Sequence, residues 1–285
     1  MKTGNAFTHS SCGLVRIILS ILIIFIGFTK SNAQSNQGTL TVSKNNVFKM
    51  DQDTLILDEL ILDDSSKLIL TKATSFIKAK RVAVGIGCQI IGTGTKGADG
   101  KNGKSFAPPK GLCKPGVDGE AGNSGLEGGA GNDLTIEVVQ LDIRAVLNID
   151  LSGGNAGDGG KGGKGSFGGN TTVHCVGNGG NGGNGGNGGN GGKGGALSLF
   201  VQSPDKSELI SKLNLTNHGG YRGIGGEGGK GGQRGSGPSE KKSSLGKTGK
   251  AGIDGQYGKE GRPLFFSIFK INDLSAQAHA SSQGQ

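Results

Sequence analysis

The sequence predicts an all-β protein: a short parallel β-solenoid of about five coils, carrying three long glycine-rich hairpins that form a six-helix polyglycine-II bundle. Three observations predict it. Short strands rich in Leu, Ile and Val recur along the chain and return after each glycine-rich run. The runs hold a period of three, most plainly in "GNGGNGGNGGNGGNGGKGG", Gly177 to Gly195. Finally, one unit is repeated: "LNIDLSGGNAGDGGKGGKG" from Leu147 aligns with "LNLTNHGGYRGIGGEGGKG" from Leu213, and "CQIIGTGTKGADGKNGKSF" from Cys88 is an earlier copy.

Residues 1–33 read as a signal peptide. Lys2 and Arg16 precede the apolar run "IILSILIIFIGF", and Ser31 and Ala33 place small residues before a cleavage after Ala33. The run is too short to span a membrane comfortably. The mature chain is therefore expected to be exported, to the extracellular space, the cell surface or the periplasm, with no transmembrane segment. Losing Lys2, Arg16 and Lys30 lowers the formal charge from +9 to +6. Most of the 60 glycines remain, in a chain with no Trp and two Tyr. Such a chain cannot bury a large conventional core, so its order must come mainly from backbone hydrogen bonds.

Residues 34–91 read as solenoid coils without glycine insertions: "LTVSKNNVFKMDQDTLIL" from Leu40, then "LILDDSSKLILTKATSFIKA" from Leu60. Leu60 and Val82 are 22 apart, and Leu68 and Cys88 are 20 apart, a spacing that suits one coil. Residues 92–272 read as coils interrupted by hairpins at 92–132, 153–195 and 218–262. Each unit opens on an apolar strand pair ("VAVGIGCQII", "LDIRAVLNIDL", "ELISKLNLT") and closes on a strand ("LTIEVV", "ALSLFV", "LFFSIFKI"). Residues 273–285 read as a frayed polar tail.

Three residues per turn at about 3.1 Å per residue puts every third side chain on one ridge. Asn178, Asn181, Asn184, Asn187 and Asn190 form such a ridge, leaving glycine on the other two. Two glycine ridges let a helix meet neighbours on two sides, so that backbone N–H and C=O groups bond between helices. Coils about 4.8 Å apart deliver successive hairpins side by side. The runs "GADGKNG" and "GVDGEAGNSGLEGGAG" have a single glycine ridge in places, which predicts an edge position for the first hairpin.

The triplets of Gly153 to Gly165, Gly177 to Gly195, Gly219 to Gly232 and Gly246 to Gly261 resemble the polyglycine-II bundles of certain phage tail-fibre tip adhesins and of the snow flea antifreeze protein. The stretch from Gly116 to Gly131 also looks collagen-like. Low-complexity triplets imply a shared fold rather than shared ancestry.

The loops at the hairpin tips concentrate the unusual side chains. "SFAPPKGLCKPG" holds Phe106, Leu112 and Cys113; "SFGGNTTVHCVG" holds Phe167, His174 and Cys175; "PSEKKSSLGKTGK" holds Lys241 and Lys242. Their equivalent positions predict a Cys113–Cys175 disulfide, with Cys88 a buried thiol and a Cys88 pairing as the competitor. The apolar tip residues form either a small cap or a contact surface. The lysines of the third loop favour an anionic partner such as a cell-surface polysaccharide.

Other chemistry is weakly represented. "GGAGND" at Gly128 to Asp133 begins like a calcium-binding nonapeptide, but it does not recur consecutively, and a strand-entry turn is the better reading. No nucleophile–base pair is set in a recognisable pocket motif, and no cofactor, metal or nucleic-acid signature stands out. The expectation is a non-enzymatic surface protein binding adhesin-like through its tips. The alternative is a structural envelope or matrix protein, or an ice-binding one, working through the regular ridges.

Overall fold

The computed structural model describes residues 37–202, 206–238, 244–245, 252–253 and 255–268. The signal-peptide reading, the polar tail, Lys241 and Lys242 lie outside the described residues. All described residues belong to one compact unit, Asn36–Gln285.

The chain's regular secondary structure is almost all strand. It runs β1 (Gln37–Val42), β2 (Val47–Met50), β3 (Thr54–Leu62), β4 (Lys67–Leu70), β5 (Thr74–Val84), β6 (Gln89–Ile91), β7 (Asp133–Ile143), β8 (Leu147–Asp150), β9 (Leu197–Val201), α1 (Lys206–Ser211), β10 (Leu213–Thr216) and β11 (Phe265–Ile268). Odd strands build one sheet in the order β1-β3-β5-β7-β9-β11, and even strands a second, β10-β8-β6-β4-β2. Every pairing is parallel. The all-β expectation therefore holds at the level of two parallel sheets.

Short turns join β1 to β2, β3 to β4 and β5 to β6. Each contains one residue with positive φ: Asn45 (60°), Ser65 (60°) and Gly87 (71°). Glycine reaches that region freely and Asn tolerates it. The turns stack on one another, with Asn45 N–H on Asp64 O (3.1 Å) and Ser65 N–H on Ile86 O (2.8 Å).

Parallel register stacks like upon like. Leu55, Ile77, Ile136 and Leu199 are successive partners in the odd sheet and are all buried. Leu68, Ile90 and Ile149 play the same part in the even sheet. Within β3 the inward alternation Leu55, Leu57 resumes at Leu60, Leu62; within β5, Ile77, Ala79 resumes at Val82, Val84. Two successive residues face away from the core at each interruption, Asp58–Glu59 and Lys80–Arg81, which breaks the two-residue period. Those residues pair between strands: Lys80 with Asp58 (2.7 Å) and Arg81 with both Glu59 (2.6 Å) and Asp142 (3.1 Å). The shared guanidinium is held above its ordinary pKa, first by the hydrogen bond to Glu59 and then by that to Asp142.

Two sequence expectations need correction. Leu68 pairs with Ile90, a step of 22, not with Cys88 at 20. The segment "ELIS" is not a strand but lies within α1. Its preceding residues Ser203, Pro204 and Asp205 spell a helix start, and Glu208 sits in the first turn. Leu209 still reaches the core, and Lys212 pairs with Glu208 one turn back (2.8 Å).

Long glycine-rich segments connect β6 to β7, β8 to β9 and β10 to β11. Each runs out and back, giving hairpins 1, 2 and 3 with an outgoing and a return arm. Outgoing arms bond to the next outgoing arm, as in Gly100 N–H to Asp158 O (2.7 Å) and Gly162 N–H to Glu227 O (2.8 Å). Return arms do likewise: Gly122 to Asn184 O (2.8 Å), Gly191 to Gln256 O (2.8 Å). Antiparallel arms bond through the remaining glycines: Gly160 to Asn123 O, Gly183 to Gly163 O and Gly226 to Gly186 O, each 2.8 Å. These bonds recur at every third residue.

Glycine content follows the neighbours. The outgoing arm of hairpin 2 is bonded to both arms of hairpin 1, to its own return arm and to hairpin 3. It spends two of three positions on glycine, because a Cβ at Gly162 would collide with Gly183 O and one at Gly163 with Lys104 O. The outgoing arm of hairpin 1 bonds only to its return arm and to the outgoing arm of hairpin 2, and one glycine in three suffices.

Candidate functional site

The triplet period stops at Phe106 in hairpin 1, whereas in hairpin 2 it runs on past Phe167, with Gly168 N–H on Gln233 O (3.0 Å) and Thr171 N–H on Ser236 O (2.9 Å). Between Ser105 and Cys113 the backbone makes no hydrogen bond within the described residues. The loop is held at its far end. Cys113 N–H donates to Asn170 O (2.8 Å), Gly169 N–H donates to Lys114 O (2.8 Å), and the sulfurs of Cys113 and Cys175 stand at disulfide distance, with Cα atoms 5.6 Å apart. Gly111 (φ 113°) and Cys113 (φ 62°) turn the chain sharply. A Cβ at Gly169 would collide with Gly111 O, so glycine lets the two loops meet.

Where they meet is a shallow concavity of about 400 Å³. Pro108, Pro109 and Leu112 wall it from hairpin 1; Phe167, Gly168 and Asn170 wall it from hairpin 2. Leu112 is 63 % and Phe167 55 % exposed, so these apolar groups are not sunk into a core. The arms leading to the concavity carry the exposed cations Lys104, Lys110, Lys114, Lys164, Lys230 and Arg234, none with an ion-pair partner among the described residues. Asp118 and Glu120 are acidic residues of the return arm of hairpin 1, and Asp118 already accepts the Asn181 backbone N–H (2.6 Å).

The other candidate residues are placed as follows. Phe106 is exposed but does not line the concavity. His174 is exposed, its N–H directed at Thr172 Oγ1 (3.4 Å). Cys88 is a buried free thiol directed at Asp63 O (3.1 Å). Asp133 accepts the Ala196 N–H (2.9 Å) and pairs with Arg262 (3.6 Å), a strand-entry role.

The asparagine ridge is exposed yet occupied. Oδ1 of Asn178, Asn187 and Asn190 accepts the backbone N–H of Ser244, Ile253 and Gln256 (2.9, 3.0 and 2.8 Å). Asn181 and Asn184 are likewise engaged. The outgoing arms follow the same rule: Asp99, Asn102 and Ser105 cap Asp158, Lys161 and Lys164, and Asn155 and Asp158 cap Tyr221 and Ile224. Each of these Asn, Asp and Ser side chains satisfies one backbone donor that the glycine bonds leave over.

Sequence reasoning missed one cluster. On hairpin 3 the rings of Tyr221 and Tyr257 meet edge to face, centroids 6.3 Å apart, with the Arg222 guanidinium 5.3 Å from the Tyr257 centroid. The available signal was the 66-residue repeat, which sets Tyr221 against Asn155 and Tyr257 against Gly191.

No protein-family model, curated protein or solved structure matches this chain. Within the described residues no helix is long and apolar enough to cross a membrane.

Proposed function

We propose that this is an exported, non-enzymatic surface protein that binds anionic cell-surface polysaccharide, adhesin-like, through its hairpin tips. One observation carries the reading: a solvent-open concavity shared by two loops, walled in part by exposed Leu112 and Phe167, on arms that carry exposed cations without ion-pair partners among the described residues. Turn geometry requires Gly and Pro at such loops, but it does not require exposed Leu112 and Phe167. Apolar walls suit the C–H faces of sugar rings, and the lysines suit their carboxylates or sulfates.

The same reading takes the base as a five-coil β-solenoid and the arms as a six-helix polyglycine-II bundle. Parallel strands alternating between two sheets, with steps of 20 and 22 residues before the insertions begin, support the first. Backbone bonds at every third residue, between arms that carry one or two glycine ridges according to their neighbours, support the second. The N-terminal signal pattern and the cysteine pair at disulfide distance support export.

A structural envelope or matrix role is the second reading. It is favoured over ice binding because the ridge carboxamide oxygens are engaged by the backbone of hairpin 3.

The test is binding of the mature protein to a panel of acidic and neutral polysaccharides at low and physiological salt. The control variant has the tip loops replaced by Gly-Ser turns. Saturable binding to acidic polymers, weakened by salt and lost with the tips, is expected. Equal binding without the tips, or none, overturns the reading in favour of the structural one.

A further inference from the structure

We infer that the Tyr221–Tyr257 cluster on the outer face of hairpin 3 is a second sugar-binding site for the same acidic polysaccharide, an inference that rests on the tip-binding reading. In hairpin 2, the equivalent positions serve the next hairpin. Asn155 Oδ1 caps the Tyr221 N–H, and the Gly191 N–H donates to Gln256 O. Among the described residues no further hairpin packs on the corresponding positions of hairpin 3. They nevertheless carry the chain's only two tyrosines, 68 % and 64 % exposed, with Ile224 and Ile253 exposed beside them.

The chemistry selects the occupant. Two near-perpendicular rings on a convex face offer one ring face and one edge, which suits a pyranose stacked through its C–H groups. A stable protein partner would need about 1,000 Å² or more of complementary surface, and four side chains on a convex arm supply much less. Arg222 lies over the Tyr257 ring, and exposed Lys259 adds positive charge for a carboxylate. Tyr221 and Ile224 share their ridge with Glu227, which is paired with Lys161 (3.0 Å), and with Lys230, so the cluster and the basic tip lie along one arm. A single polymer chain can engage both, and the second contact is then intramolecular.

The absence of Trp makes the site self-reporting, since tyrosine emission comes from this cluster alone. The mature protein is titrated with polygalacturonate and, as a neutral control, dextran, following tyrosine emission and, in parallel, calorimetric affinity. Polygalacturonate is expected to change the emission saturably and dextran to leave it unchanged. The variant Tyr221→Ser/Tyr257→Ser is expected to lose at least about tenfold in polymer affinity with an unaltered melting curve. Replacing the tip loops is expected to weaken binding while leaving the emission change in place.

Polymer binding with unchanged emission, or with full affinity in the tyrosine variant, overturns the second site and leaves the tip reading standing. An emission change together with full affinity after tip replacement overturns the tip reading instead. No binding to polygalacturonate overturns both.

Discussion

Gly162 and Gly38 show how differently the same residue is used. A methyl group at Gly162 would strike the carbonyl of Gly183 in the return arm, whereas at Gly38 nothing lies within 4 Å. Gly162→Ala must therefore push two arms apart and is expected to cost about 1–3 kcal/mol. Gly38→Ala should be close to neutral, and paired thermal melts would separate the two. A glycine-rich linker would tolerate both substitutions alike. Half of this was legible in the sequence: the period of three marks which residues must be glycine. The duty of the third residue was not. Asn187 reads as a surface ridge until one knows that hairpin 3 lies one repeat further on and presents the Ile253 N–H to its carboxamide. That requires the three-dimensional offset between arms, which no local pattern encodes.

Among the elements, the two tip loops depend most on a single link. Cys113 and Cys175 are 62 residues apart and join loops that otherwise share few backbone bonds. Cys113→Ser/Cys175→Ser is expected to lower stability by about 2–4 kcal/mol and to weaken tip binding, while circular dichroism of the bundle below the transition is retained. Unchanged melting and affinity would show that the loops are positioned without the link. This pairing was legible because the loops occupy equivalent places in neighbouring repeats. Helix α1 was less so: "ELISKLNLT" has the apolar content of a strand, and the repeat led to the expectation of a strand pair there. Leu209 nevertheless joins the buried core from this short helix.

At the scale of the whole molecule, two kinds of order are joined. The strand region is an aliphatic stack, with buried Leu, Ile and Val repeating from strand to strand. The glycine arms have almost no side chains to bury and are held mainly by backbone bonds, with ridge side chains capping further backbone donors. The coarse plan was readable from strands that return after each glycine run and from the 66-residue repeat, which matches the observed pairing of Leu147 with Leu213. The concavity and the tyrosine cluster were not readable, because each is assembled from residues brought together only when arms lie side by side. Both proposed sites require those arms to be rigid. Ordering glycine is costly in conformational entropy, so the claim that the bonded array persists in solution is the one on which the rest depends.

Hydrogen–deuterium exchange of the mature protein tests it directly. The account predicts that peptides from Gly153 to Gly195 exchange as slowly as those of β5 and β7 and lose protection in the same cooperative transition. Exchange of these glycine amides at the rate of an unstructured chain, with the strands still protected, would contradict it.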